Sequence, residues 1–196
     1  FPTAEEWRVE ALARDGGLLR AALPTQPAAG KVEYQVRLRD GAGSAAVFPE
    51  RPAVARFKGA VPAAVLIPHV LAMFLAMAFA TRAGLAAVAG EQGLGRLAWI
   101  TLGLTAAGGF VLGPAVQKYA FDAWWTGVPF GWDLTDNKTL LAWIFWVVAL
   151  VRLYRNRSHT TWVIVAGVVL MLVYLIPHSM FGSELDYSSG EINTGR

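Results

Sequence analysis

The fold class of this chain is decided by residues 161–181, which read TWVIVAGVVLMLVYLIPHSMF and contain no Asp, Glu, Lys or Arg. Crossing the hydrocarbon core of a bilayer takes about 20 apolar residues in a helix. The run is long enough and apolar enough for this, so it predicts a transmembrane helix. The whole chain is 55% hydrophobic, which exceeds the usual apolar share of a soluble fold.

Three further apolar segments precede this one, at about 59–82, 97–117 and 135–154. The third is the least regular, because its uninterrupted apolar part is short. It reaches the length of a membrane span only if polar residues at both ends are included. We expect Lys138 and Arg152 to snorkel toward the two membrane surfaces. Together the four segments predict a mainly α membrane protein, a four-transmembrane-helix bundle spanning residues 59–181.

The charges between these segments predict the orientation. The connections 82–96 and 152–160 hold Arg82, Arg96, Arg152, Arg155 and Arg157 against the single acidic residue Glu91. Loops rich in Arg and Lys stay in the cytoplasm. Four crossings then place both termini outside, including the tail 182–196. We therefore predict a multi-pass protein of the bacterial inner membrane with periplasmic termini.

Residues 1–58 predict a small extracytoplasmic β-rich domain. Strict alternation from Lys31 to Arg39 is typical of a half-buried strand. Shorter candidate strands are Leu18–Leu23, Ala45–Phe48 and Val54–Phe57, with turns predicted at 24–30, 40–44 and 49–52. The segment LPTQPAAGKVEY, residues 23–34, resembles part of an immunoglobulin or fibronectin-like sandwich, although a full sandwich needs more strands than residues 1–58 supply.

Composition excludes several classes of function. The sequence has no Cys, so it offers no disulfide, iron–sulfur ligand, zinc thiolate or covalent c-type haem attachment. Its basic residues are scattered or flank apolar runs, which argues against a nucleic-acid partner. The chain opens at Phe1 without an initiator Met or a signal-peptide pattern, and we expect a mature or truncated form.

A repeated tetrapeptide supplies the candidate cofactor ligands. Leu-Ile-Pro-His occurs at residues 66–69 and again at 175–178, in helices predicted to run in opposite directions. A pair of His from two helices is what axial ligation of b-type haem requires, and neutral imidazoles also bind quinones or metal ions. The structural alternative is that His69 and His178 each hydrogen-bond a backbone carbonyl freed by the adjacent Pro. His159, in an Arg-rich loop, is expected to be solvated.

The connection between the second and third predicted helices is rich in aromatic residues. Trp124, Trp125, Phe130 and Trp132 lie within it. Trp near a membrane surface is ordinary, but this density predicts a packed surface loop that contacts a partner.

The stretch from Trp124 to Trp143 resembles the tryptophan-rich WWD segment of cytochrome c biogenesis proteins. Gly131-Trp132-Asp133, followed by Lys138-Thr139 and Trp143, carries the resemblance. It implies a loop that cradles haem on the outer membrane face between two outward His at flanking helix ends. His178 matches that role, whereas the preceding helix 97–117 offers no His.

Two other clusters have structural explanations. Asp133 and Asp136 precede an apolar helix, where Thr135 or Asp136 is expected to act as N-cap, so no metal is required. Small faces on the second helix are expected to serve close helix packing. They are formed by Gly103, Gly108, Gly109 and Gly113.

The sequence holds no nucleotide-binding glycine loop, HExxH motif, hydrolase triad or intramembrane carboxylate relay, so we predict that the protein is not an enzyme. The function favoured is a non-catalytic accessory subunit of a larger bioenergetic membrane complex, of respiratory or photosynthetic reaction-centre type. It contacts other membrane subunits, and an extracytoplasmic partner through its β domain and Trp-rich loop. The alternative is a b-type haem electron carrier or haem-handling protein. Beyond lipids, haem b and a quinone are the cofactor candidates.

Overall fold

The computed structural model describes residues 7–43, 45–156, 158–177, 184–185 and 192–193. It is mainly helical, with small two-stranded sheets. The chain divides into two compact units. One comprises Phe1–Gly59 with Glu184–Asn193, and the other comprises Ala60–Ser183 with Thr194–Arg196.

The helical unit contains the elements expected of a membrane protein. In chain order they are α1 (Ala63–Val88), α2 (Leu94–Ala106), a π-helical segment (Ala107–Leu112), α3 (Gly113–Phe121), α4 (Leu134–Arg155) and α5 (Thr161–Leu175). The elements from α2 to α3 follow one another without a break. Three helices in the described part of the chain are long and apolar enough to cross a membrane: Ala63–Val88, Leu94–Phe121 and Leu134–Arg155.

Helix α5 is shorter than the sequence predicts. The predicted span reached Phe181, but the helix ends at Leu175 and Ile176 is extended, with φ −79° and ψ 116°. The cause is Pro177, because a residue before Pro is driven out of the helical region. The first copy of the same tetrapeptide behaves differently, since Pro68 lies inside α1, near its N-terminal end. Residues 178–181 lie outside the described residues.

Helix α4 is longer than its short apolar run suggests, and its two polar ends differ in exposure. The guanidinium of exposed Arg152 lies 5.3 Å from the ring centroid of Trp162. The prediction that Lys138 snorkels is wrong, because this residue is only 5% exposed. Its Nζ donates to the backbone oxygen of Ile176 at 2.6 Å and lies 3.4 Å from that of Pro177. Lys138 thereby satisfies carbonyls that the end of α5 leaves without helical donors.

The helices pack in a closed order around one apolar core. α1 contacts α2 and α5, and α4 contacts the same two helices. Alanine is the commonest residue of this core, as at Ala80, Ala83, Ala98 and Ala166, and the ring of Trp146 is fully buried in it. Small residues allow helix backbones to approach closely, which is how helices associate in a membrane.

The π-helical segment has an identifiable cause. Pro114 lies two residues after its end, and a Pro in a helix lacks a donor and clashes with the carbonyl four residues earlier. The wider turn relieves this clash, and Gly113 donates its backbone N–H to the oxygen of Gly108. A methyl group on Gly108 would lie 2.6 Å from Met73 Sδ, and one on Gly109 would lie 2.5 Å from Thr139 Cγ2. The predicted role of glycine in close packing therefore holds at both positions.

The other unit consists of hairpins. β1 (Ala13–Asp15) pairs with β2 (Leu18–Arg20), β3 (Lys31–Arg39) with β4 (Ala45–Arg56), and β5 (Glu184–Leu185) with β6 (Ile192–Asn193), all antiparallel. The strand predicted at 31–39 is confirmed. The turn predicted at 49–52 is wrong, because β4 continues through it. Pro is tolerated there since both strands of a two-stranded sheet are edges.

Lys31, the first residue of β3, is a buried charged residue in this unit. Lys31 is only 5% exposed. Burial lowers its pKa below the ordinary value, and the positive charge of Arg56 lowers that pKa further.

Leu185 donates its backbone N–H to the oxygen of Ala29 at 3.2 Å. This bond joins β5 to the turn before β3.

Candidate functional site: the aromatic loop and His69

Residues 122–133, which we call the aromatic loop, connect α3 to α4. The loop starts at Asp122, whose φ of 59° ends α3 in a left-handed turn. It ends at Asp133, the N-cap of α4, whose Oδ1 accepts from the backbone N of Asp136 at 2.9 Å. The sequence predicts a side-chain cap at this helix start, but the prediction of Thr135 or Asp136 as the N-cap is wrong.

Asp136 instead fastens the aromatic loop to α4. One oxygen, Oδ2, accepts from the backbone N of Thr126 at 2.7 Å, from Thr126 Oγ1 at 3.1 Å and from the backbone N of Gly127 at 3.1 Å. Gln117 on α3 donates to the same Thr126 hydroxyl at 2.6 Å. Asp136 is 8% exposed, so these bonds form away from water, where a donor left without an acceptor is costly.

A second side chain of α4 completes this attachment. Asn137 Oδ1 accepts from the backbone N of Val128 at 2.7 Å. The backbone approaches so closely that a methyl group on Gly127 would lie 2.7 Å from Asp136 Cβ and 2.8 Å from Asn137 Oδ1. The residue at this position therefore has to be Gly. The shape of the loop is fixed by contacts with the first turn of α4.

Trp125 faces inward from the loop. Its ring centroid lies 5.4 Å from that of Phe110 in the π-helical segment, and Phe110 makes an edge contact with Trp143 at 5.5 Å. The Nε1 of Trp125 donates to the backbone oxygen of Val128 at 3.1 Å. The indole therefore anchors the loop and offers only part of its surface to a partner.

The other three predicted interface residues point outward. Trp124 is 60% exposed, Trp132 77% and Phe130 82%. Their ring surfaces are available on a loop whose backbone is held by Asp136 and Asn137. Large aromatics on a fixed backbone lose little conformational freedom on association. The sequence indicated the aromatic residues, but it did not indicate that Asp136 and Asn137 hold the loop backbone.

His69 makes one defined polar contact. Its Nδ1 lies 3.0 Å from the backbone oxygen of Gly108. Because a carbonyl only accepts, Nδ1 is the donor in this contact, and Nε2 is not engaged by it. The carbonyl belongs to the π-helical segment rather than to the turn that Pro68 opens. The second predicted ligand, His178, lies outside the described residues. His159, predicted to be solvated, is half-buried.

In the described part of the chain, no group of three or more His, Cys, Asp or Glu side chains is arranged to hold a metal ion. No family model, no curated protein and no solved structure matches this chain. The resemblances to the WWD segment and to immunoglobulin-like sandwiches therefore stay predictions.

Proposed function

We propose that this protein is a non-catalytic subunit of a larger bioenergetic membrane complex, and that the aromatic loop is its contact surface for an extracytoplasmic partner. The observation that carries the proposal is the outward exposure of Trp124, Phe130 and Trp132 on a loop that α4 holds in place. The bioenergetic assignment, of respiratory or photosynthetic reaction-centre type, rests on the intramembrane His69 and on the WWD resemblance.

Interface energetics support the assignment of this loop. Aromatic side chains, above all Trp and Tyr, dominate the binding energy of protein interfaces when partner surfaces bury them. A loop that has to be ordered on binding loses part of that energy as conformational entropy. In this chain Asp136 and Asn137 already hold the loop in place before a partner binds, so less of the binding energy is lost to ordering. A loop that only lies at the membrane surface would not need a buried carboxylate that accepts three hydrogen bonds.

The proposal places four helices across the bacterial inner membrane, with the β-rich unit and both termini in the periplasm. The hydrogen bond between Leu185 and Ala29 supports this, because it joins a segment that follows the helices to one that precedes them. An even number of crossings is compatible with that contact. The three long helices and α5 supply four. The Arg-rich connections then assign the cytoplasmic side.

Replacing Trp124 and Trp132 with Ala should release the partner. Each truncation of a central aromatic costs about 2 kcal/mol of association free energy or more, roughly thirtyfold in affinity. Affinity purification in mild detergent, with co-purifying polypeptides quantified, measures the loss. The Phe74→Ala variant is the control, since Phe74 is comparably exposed, at 59%, but lies on α1. Retention of the companion by the double variant at the wild-type level would contradict the proposal.

His69 supports a second candidate function, a b-type haem electron carrier or haem-handling protein. A His that ligates a metal usually donates its other ring N–H to a carbonyl or carboxylate, which fixes the ring. His69 has this arrangement, since Gly108 holds Nδ1 and Nε2 remains a possible ligand atom. π-helical segments are also frequent at functional sites. Haem would add one-electron chemistry, and His178 is the proposed second ligand.

An absorption spectrum tests this second function. If haem is bound, the purified protein should show a Soret band and, after dithionite reduction, a sharp α band. His69→Ala should abolish the α band, because removal of one axial ligand leaves the iron underbound, whereas His159→Ala should preserve it. A colourless wild type, or an α band unaffected by His69→Ala, would rule this candidate out.

A further inference from the structure

A groove of about 310 Å³ opens between α2 and α4. Its walls are almost entirely apolar, with the polar atoms of Trp99 and Tyr154 at one end, and they are formed by Trp99, Leu102, Val147, Leu150, Val151, Tyr154 and Arg155. Leu102 and Leu150 are buried, whereas Val151 is 47% exposed. The groove is therefore open along an outward face of the helical unit.

The polar end of this groove is organised by one bond between the two helices. Trp99 Nε1 on α2 donates to the hydroxyl of Tyr154 on α4 at 2.9 Å. Trp and Tyr concentrate at the level of lipid headgroups. Arg155 is next in sequence to Tyr154, and no carboxylate among the described residues pairs with it. Arg96 lies one helical turn before Trp99 on the same face of α2. Within the described ranges, neither Arg96 nor Arg155 forms an ion pair with a carboxylate.

We propose that the groove binds one acyl chain of an anionic phospholipid whose phosphate pairs with Arg155. The apolar walls leave a polar ligand without hydrogen-bond partners, which excludes most soluble metabolites. Arg recognises phosphate through two parallel N–H donors. The Tyr154 hydroxyl accepts from Trp99 and can still donate to a phosphate or ester oxygen.

The size of the groove favours a lipid chain over a helix of a partner or of a second copy. A helix about 10 Å across occupies roughly 80 Å³ per ångström of length. At that cross-section the groove would hold about 4 Å of helix, less than one turn. An acyl chain is thin enough to lie along it. This inference does not depend on what the aromatic loop binds.

Native mass spectrometry of protein equilibrated with equal amounts of phosphatidylglycerol and phosphatidylcholine, with identical acyl chains, tests the proposal. The wild type should retain one phosphatidylglycerol with about a tenfold preference. Arg155→Gln should bring the preference close to unity. Arg152→Gln removes the same charge three residues earlier, from a side chain that contacts Trp162, and should keep the preference.

A second variant probes the apolar walls without changing charge. Val147→Phe narrows the groove and should reduce retention of both lipids about equally. The proposal is overturned if the wild type shows no preference, if Arg152→Gln and Arg155→Gln lose it equally, or if Val147→Phe retains phosphatidylglycerol as the wild type does. A lipid-free dimer that Val147→Phe dissociates would assign the groove to a second copy instead.

Discussion

Replacing Asp136 with Ala should make the aromatic loop about a hundredfold more sensitive to chymotrypsin, an enzyme that cleaves after aromatic residues. The variant removes the one oxygen that accepts from the backbone N–H groups of Thr126 and Gly127. Each buried donor left without an acceptor costs about 1–3 kcal/mol. The free energy of local opening should fall by about 3 kcal/mol in all, and cleavage of a transiently opened segment follows that free energy. The initial rate of cleavage in detergent is the measurement.

Two matched variants separate the hydrogen bonds from the charge. Asp136→Asn loses the charge but keeps an oxygen, and because all three loop bonds fall on a single oxygen, protection should stay near the wild-type level. Asp122→Asn removes an exposed carboxylate at the start of the same loop, paired only with Lys118, and should change little. If Asp136→Ala is cleaved no faster than Asp136→Asn, the carboxylate does not hold the loop.

Replacing Lys138 with Met should lower the thermal unfolding midpoint by about 5–10 °C. Met keeps the length of the buried stem but removes the donor that reaches the backbone oxygen of Ile176. Hydrogen bonds from a charged group contribute about 1.5–3 kcal/mol, and about 2–4 °C corresponds to each kcal/mol in a chain of this size. Without water nearby, the end of α5 has no ready substitute donor.

The matched control for this variant is Lys118→Met. Lys118 forms an exposed ion pair with Asp122, of a kind worth at most about 1 kcal/mol, so its loss should barely move the midpoint. The competing effect in the Lys138 variant is relief of the cost of burying an ammonium group. A Lys138→Met protein as stable as the wild type, or more stable, would show that this cost outweighs the hydrogen bonds.

The fate of the two Leu-Ile-Pro-His segments shows where sequence reasoning stops. Apolar run length predicts helices at both positions, and α1 continues through Pro68. At Pro177 the helix has already ended, and the freed carbonyl of Ile176 takes its donor from Lys138, 38 positions away in sequence. The tetrapeptide is the same in both places, but Pro68 lies near the N-terminal end of α1 whereas Pro177 follows the last residues of α5. The tetrapeptide alone does not show which of these positions its Pro will occupy. The strand at 31–39, by contrast, follows from alternation alone.

The candidate site, too, could be predicted from the sequence only in part. Composition alone indicated the aromatics, because Trp and Phe are conspicuous between two apolar runs. The role of Asp136 depends on the path of the loop backbone, which brings Thr126 and Gly127 over the first turn of α4. The polar cluster before α4 indicates helix capping, but it did not identify Asp133 as the N-cap. It cannot indicate that the second acid binds a loop.

The most direct measurement of partner contact is site-specific photo-cross-linking in intact cells. A photoreactive benzoylphenylalanine in place of Phe130, the most exposed aromatic of the loop, reports what lies within a few ångströms of that ring. The same probe in place of Phe74 on α1 is the control. Docking through the aromatic loop predicts a discrete adduct with a second polypeptide from position 130, and this adduct should be missing from position 74. Adducts with lipid alone, or the same protein adduct from both positions, would contradict it.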